Sequence, residues 1–286
     1  MKRARAMIVL FLITASVVFV NTSTASATDI SNTTIDNNKT LLLVIGDAIS
    51  SFEPSLTVTT TFQPSPYNIT IEKLRDCAQS NDPFIGNLFY GITWKTERSG
   101  SGYKTHFKFS YYITQVQYDE LQSFAVDFAS KMDGKSEYEK VKETHDYLVE
   151  NCSYYVNADG PYNCIFNNES NCNGYALAFY LIMQKCDIEC KYVTGYGNGG
   201  AHAWNAVKIG SFWYNIDVTW DDANDELSYD YFLKGRGDWT GHSKNSATAG
   251  YAYENYNELH NWLTTVLYWG ACPAAIVIII FIKRKC

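Results

Sequence analysis

Read for the alternation of apolar and polar positions, the chain divides into stretches of different period. Tyr118, Leu121, Phe124, Ala125, Phe128 and Met132 recur at three- and four-residue intervals behind a Thr114/Gln117 capping box, so a helix is expected there. Ser136 and Glu139 repeat that start signal ahead of Tyr138, Val141, His145 and Leu148. A third helix is expected from Cys172, where Tyr175, Ala176, Phe179, Ile182 and Met183 make one apolar face after the turn-prone run NNESN. The period then changes to two. AHAWNAVKI, Gly210-Ser211 and FWYNIDVTW read as two strands joined by a two-residue turn with glycine first, a type II′ signal. Pairing Ile209 with Phe212 puts Val207, Ile209, Phe212, Tyr214, Ile216 and Val218 on one apolar face. His202 and Asp217 fall on the other, with Trp204 and Trp213 beside them. In this register His202 stands opposite Thr219, and Asp217 is its diagonal neighbour within hydrogen-bonding reach.

Upstream, residues 41–45 and 56–62 read as strands on β-branched content, residues 70–79 as a short helix, and residues 87–96 and 103–114 as a hairpin around RSGSG. Residues 28–115 are thus expected to form a small α+β module behind a polar leader at 28–40. Residues 229–234 (YDYFLK) suit a final core strand, and residues 241–262 a polar, tyrosine-rich linker.

Both ends carry segments of another kind. Residues 1–27 hold Lys2, Arg3 and Arg5, an apolar run and Ala25-Ser26-Ala27, the pattern of a secretory signal peptide; the alternative is an uncleaved anchor. Residues 263–282 hold no charge and precede Lys283-Arg284-Lys285. At about 1.5 Å per residue such a helix spans about 30 Å, a bilayer's hydrocarbon core. A basic cytoplasmic tail at 283–286 leaves the rest of the chain outside the cell on a single-pass anchor. Without the three basic residues at each end, 17 Lys and Arg face 30 Asp and Glu, a formal net of −13. That balance argues against a nucleic-acid partner and against docking on anionic lipid.

Candidate chemistry centres on Cys172. At a helix start, free backbone N–H groups and the positive end of the macrodipole favour the thiolate, the nucleophilic form. An imidazole at His202 and an orienting carboxylate at Asp217 complete what attack on an amide carbonyl needs. NCNGYALAF, GGAHAWNAV and FWYNIDVTWDD, in that order, resemble the core of the transglutaminase-like superfamily, and KVKETHDYLVENCSYY is similar to the segment that precedes its cysteine. The resemblance runs from the helix before Asn151 to about Leu233. It implies an α+β, papain-like core at 116–240, with a catalytic cysteine helix packed on an antiparallel sheet, and a triad on Cys172, His202 and Asp217. Asp187 departs from the family, which commonly has glycine there, in a turn far from the chemistry.

The plainer readings bound this expectation. Taken alone, Cys172 is a buried structural cysteine; it is the coincidence with His202 and Asp217 that favours catalysis. His145, on an apolar stripe, reads as a hydrogen-bonded core group, and His106, His242 and His260 carry no motif. Asp221, Asp222, Asp225 and Glu226 read as a solvated acidic turn; no metal ligand set and no cofactor are expected. Tyr155 is a candidate second oxyanion donor beside the Cys172 N–H, and Trp204 and Trp213 are candidate cleft walls. Six cysteines precede the expected span; with Cys172 kept as a thiol, at most two disulfides follow, and the sequence assigns neither. Sequons stand at Asn32, Asn38, Asn68, Asn151 and Asn168. The expected activity is attack on protein or peptide amides through an acyl-enzyme. Hydrolysis is favoured over crosslinking because the chain lacks room for the added domains of large crosslinking enzymes. The alternative is a non-catalytic surface protein that keeps the fold.

Overall fold

The computed structural model describes residues 34–222, 227–235, 237–244 and 256. The expected signal peptide at 1–27, the span at 263–282 and the tail at 283–286 lie outside these, as does most of the linker. No helix among the described residues is long and apolar enough to cross a membrane.

The chain begins with β1 (Thr34–Ile35) and α1 (Asn38–Ser50), followed by β2 (Ser55–Thr60), α2 (Ile71–Asn81), α3 (Pro83–Leu88), β3 (Phe89–Ser99) and β4 (Gly102–Tyr111). The expected strand at 41–45 is instead the middle of α1. Its LLLVI run looks like a strand in isolation, but Leu41, Ile45, Ala48 and Ile49 recur at helical spacing and are buried, and the Asn37 side chain caps the first turn through Thr40 N at 2.9 Å. The strands form a sheet of order β1-β2-β4-β3, with β3 and β4 paired as the expected hairpin. Val58, Phe89, Phe107 and Phe109 on this sheet pack with α1 and with Leu74 and Ala78 of α2. Phe52, Phe84, Ile85 and Leu88, by contrast, enter the larger core described next, which ties the first sheet to the second.

Both expected capping boxes form, at the start of α4 (Gln115–Ser130) and of α5 (Glu137–Asn151), each worth about 1 kcal/mol at its helix. A two-stranded parallel ribbon, β5 (Ser153–Tyr154) with β6 (Glu169–Ser170), flanks a loop that contains a π-helical turn, Asn163–Asn167. α6 (Cys172–Lys185) then crosses the centre of the molecule. It is buried on every side from Gly174 to Met183, not along one stripe, because α4 and α5 cover what the sheet does not. Its C-terminus is a Schellman turn, in which Ile188 N–H reaches Met183 O (3.0 Å) and Asp187 N–H reaches Gln184 O (3.3 Å). Asp187 takes the left-handed position at φ 57°, which is the reason glycine suits that site.

The second sheet has the order β10-β7-β8-β9, all antiparallel: β7 (Cys190–Gly197), β8 (Gly200–Ile209), β9 (Phe212–Ile216) and β10 (His242–Lys244). The β8–β9 register is the expected one, Ile209 against Phe212 and Val207 against Tyr214, with Gly210 at φ 59° leading the turn. Pairing stops at Asn205–Ile216, so His202 has no partner in β9. Asp217 leaves the strand to cap the short helix α7 (Val218–Asp221). Residues 229–234 do not form the expected strand; only Lys234 bridges to Asn215, and Leu233 turns at φ 50° to bury its side chain.

Candidate active site

Asn171 caps α6 by accepting from the N–H groups of Asn173 (3.1 Å) and Gly174 (3.3 Å), which fixes Cys172 as the first helical residue. The turn is pressed against the preceding loop. A Cβ on Gly174 would stand 1.8 Å from Ser170 Oγ and 2.5 Å from Gly160 O, so only glycine admits this approach. Asn205 on β8 pins the helix to the sheet by donating to Ala176 O at 3.0 Å. Cys172 is a partly exposed thiol.

His202 lies on β8 with its ring 7% exposed. Its Nε2 is 2.7 Å from Asp217 Oδ2, and Cys172 lies close enough to act on the charge of the ring. With Nε2 on the carboxylate, Nδ1 is the nitrogen left for the sulfur. Burial pushes the imidazolium's pKa down, but hydrogen bonds and charge from Asp217 and Cys172 outweigh it and raise the pKa to about 9. Asp217 is 1% exposed. Burial pushes its carboxyl up, yet the two imidazoles bonded to it hold it below the ordinary carboxylate value. Its Oδ1 accepts from Trp220 N–H at 3.2 Å, so one side chain both caps α7 and orients His202.

The second imidazole is His242, for which the sequence offered no motif. Its Nε2 is 2.8 Å from the same Asp217 Oδ2, and its Nδ1 is 2.9 Å from Thr240 O. Its side chain is fully buried against Trp220 and Trp239, with ring centroids 4.0 and 4.1 Å away. β10 reaches this position by pairing with β7, His242 opposite Gly197, whose missing Cβ leaves room for the rings of His202 and Trp220. The donor atoms of His202, Asp217 and His242 lie within 4.8 Å of one another, a spacing that could hold a cation. In this geometry the two rings on Oδ2 already close the cluster as hydrogen bonds.

The other expected site residues are placed differently. Trp204 is 1% exposed and packs behind the histidines, 5.0 Å from His242 between ring centroids, so it backs the site and does not line it. Trp213 is half-buried beside Trp204, with the Lys191 ammonium 4.6 Å over its ring. Tyr155 is exposed, and its hydroxyl faces Asn157 at 3.4 Å. Tyr192, by contrast, donates to Asn173 Oδ1 at 2.9 Å, one residue along α6 from Cys172.

His145 is fully buried, as its stripe implied, and bridges Asp146 Oδ1 and Asp221 Oδ2 at 3.0 Å each. Burial opposes its charge, but the two carboxylates prevail and raise its pKa. Asp221 and Asp222 are therefore not a solvated turn. Asp221 is 0% exposed on His145 and on Tyr231 N–H (2.8 Å), and Asp222 accepts from the Tyr175 hydroxyl. Asp225 and Glu226 lie outside the described residues.

Residues 126–218 match the family model described as "Transglutaminase-like superfamily". Kyphoscoliosis peptidase of Homo sapiens and that of Mus musculus are each 31% identical over 72 residues, covering 21% of this chain. The match spans only 11% of those relatives' length. Among solved structures, the periplasmic domain of TgpA from Pseudomonas aeruginosa bound to ethylmercury aligns at 14% identity and TM-score 0.31, covering 44% of this chain and 65% of that one. Calcium-bound LapG from Legionella pneumophila aligns at 9% identity and TM-score 0.34, covering 53% and 98%.

Proposed function

Since residues 126–218 belong to the transglutaminase-like superfamily, we propose that the chain is a cysteine-dependent enzyme that attacks protein or peptide amides through Cys172. The observation that carries this reading is the His202 ring, held 2.7 Å from a buried, ionised Asp217 and close enough to Cys172, at the start of α6, to feel its charge. A histidine protonated up to about pH 9 stands ready to donate to a leaving amine. Cys172 passes its proton to His202, the resulting thiolate adds to the amide carbon, the His202 imidazolium protonates the departing nitrogen, and the C–N bond breaks to leave a thioester acyl-enzyme. The Cys172 backbone N–H, at the helix start, faces the developing oxyanion. His202 then takes a proton from the incoming nucleophile as the C–S bond breaks.

Water as that nucleophile makes the protein a peptidase or amidase; a lysine amine makes it a crosslinker. We favour water, in line with the peptidase name of the curated relatives. The signal-peptide pattern at 1–27 and the uncharged segment at 263–282 support the reading of a tethered enzyme facing outward. In the test, the full chain is incubated with a glutamine-bearing protein and a fluorescent primary amine. Cleavage without amine incorporation, lost in Cys172→Ala while its melting temperature stays within a few degrees, is expected. Incorporation of the amine reassigns the acceptor. If Cys172→Ala retains full activity, Cys172 is not the nucleophile.

A further inference from the structure

Asp217 receives more donors than a carboxylate that only orients one imidazole needs. Its Oδ1 accepts from Trp220 N–H at 3.2 Å, and its Oδ2 accepts from two rings, His202 at 2.7 Å and His242 at 2.8 Å. His242 is itself fixed in place. Asn198 N–H donates to Gly241 O at 2.9 Å, β10 pairs with β7, and the ring packs against Trp220 and Trp239. Its Nδ1 faces Thr240 O at 2.9 Å, a group that only accepts, so Nδ1 donates. Its Nε2 faces an ionised carboxylate, which also only accepts, so Nε2 donates as well. Neither bond touches the atoms between which the reaction moves its proton.

During attack on an amide, His202 alternates between imidazolium and neutral imidazole, exchanging its proton at Nδ1 while Nε2–H stays on Asp217. In the neutral half of that cycle Asp217 is a buried anion, 1% exposed, beside an uncharged ring. Such an anion stays ionised and in place if one of its donors does not change as the proton moves. His242 is that donor. Because it uses the same oxygen as His202, it also takes up charge that would otherwise bear on His202 alone. Of the other charged groups nearby, Asp221 is bonded to His145, and Cys172 acts on the His202 ring.

We propose that His242 is a positioning residue of the catalytic centre: by donating to the oxygen that His202 also uses, it holds the Asp217 carboxylate ionised and oriented through both protonation states of His202, and it limits the hold of that carboxylate on the His202 proton. His242 acts only through Asp217, so this role rests on the amide-attack reading of Cys172.

The test uses the full chain with two substitutions. His242→Phe keeps an aromatic ring against Trp220 and Trp239 but has no donor, and His242→Gln offers an N–H donor without the ring. In His242→Phe the whole charge of Oδ2 falls on His202, and the NMR titration midpoint of His202 is expected to rise by about one unit. In His242→Gln it is expected to stay within about half a unit of the wild type. Activity on a glutamine-bearing protein is expected to fall on the order of ten-fold or more in His242→Phe and to return most of the way in His242→Gln. A ring that only fills space gives the reverse order; that order, or a His202 midpoint unmoved or lowered in His242→Phe, overturns the proposal. One measurement needs no variant to fold: ring-nitrogen NMR of the wild type is expected to find a proton on Nε2 of both His202 and His242, and a bare Nε2 on His242 overturns the proposal. Cys172→Ala, run alongside, separates the two failures, because full activity there sinks the amide-attack reading whatever the His202 midpoint shows.

Discussion

Replacing Asp217 by asparagine keeps the volume of the side chain and removes its charge, so its effect on His202 isolates what the carboxylate contributes. His202 sits about 2.5 units above its ordinary value of 6.5, which corresponds to about 3 kcal/mol of preference for the imidazolium. That preference survives burial because Asp217 and Cys172 both favour the charged ring. In Asp217→Asn the burial penalty persists and only Cys172 opposes it. An amide also offers one oxygen where the carboxylate uses both, so its N–H groups face either the two rings on Oδ2 or the Trp220 N–H on Oδ1. The His202 titration is therefore expected to fall by about two units. The sign follows from the raised value: in the wild type the imidazolium persists as pH rises and is lost near 9, and in the variant it is lost near neutrality. The assay follows the ring resonance of His202 by NMR from pH 5 to 10, identified by its disappearance in His202→Gln, and so needs no substrate. Activity at pH 7 should fall on the order of 10³–10⁴-fold, as when the carboxylate of such a triad is lost. A wild-type midpoint near 6.5, or one unmoved by the substitution, refutes the account.

Three further outcomes follow from other parts of the structure. His145→Leu strands Asp221, which is fully buried, and should cost about 3 kcal/mol or more in urea denaturation. Because the folded value of His145 is raised, its contribution is full below about pH 6.5 and shrinks as pH rises through that folded value; the gap between wild type and variant should therefore narrow from pH 6 to pH 9. Asp187→Gly removes a left-handed non-glycine residue at the Schellman position and should raise stability by up to about 1 kcal/mol, read as a higher denaturation midpoint. Gly174→Ala places a methyl group 1.8 Å from Ser170 Oγ and should destabilise by about 2 kcal/mol or more, with faster proteolysis of the loop between Asn151 and Asn171.

What the sequence made legible were the features whose deciding contacts are local. Capping boxes at Thr114 and Ser136 are set by neighbours three residues apart, and the β8–β9 register by a two-residue turn and a face that must be buried. Once that register and the start of α6 are fixed, Cys172, His202 and Asp217 have few places to go, and three separated motifs already point to one centre. Where a polar side chain finds its partner is a different matter, because packing between distant segments decides it. His242 joins Asp217 across 25 positions only because β10 adds to β7, and nothing in its own neighbourhood marks it. Asp221 looked solvated among acidic neighbours, yet His145, 76 positions earlier, neutralises it in the core. The run at 41–45 was equally ambiguous, since five apolar residues fit a strand or a helix until a cap and the sheet of β2, β3 and β4 choose between them. Period and turn chemistry determined the elements of this protein, and long-range burial, which forces every enclosed charge to find its opposite, decided the company its histidines keep.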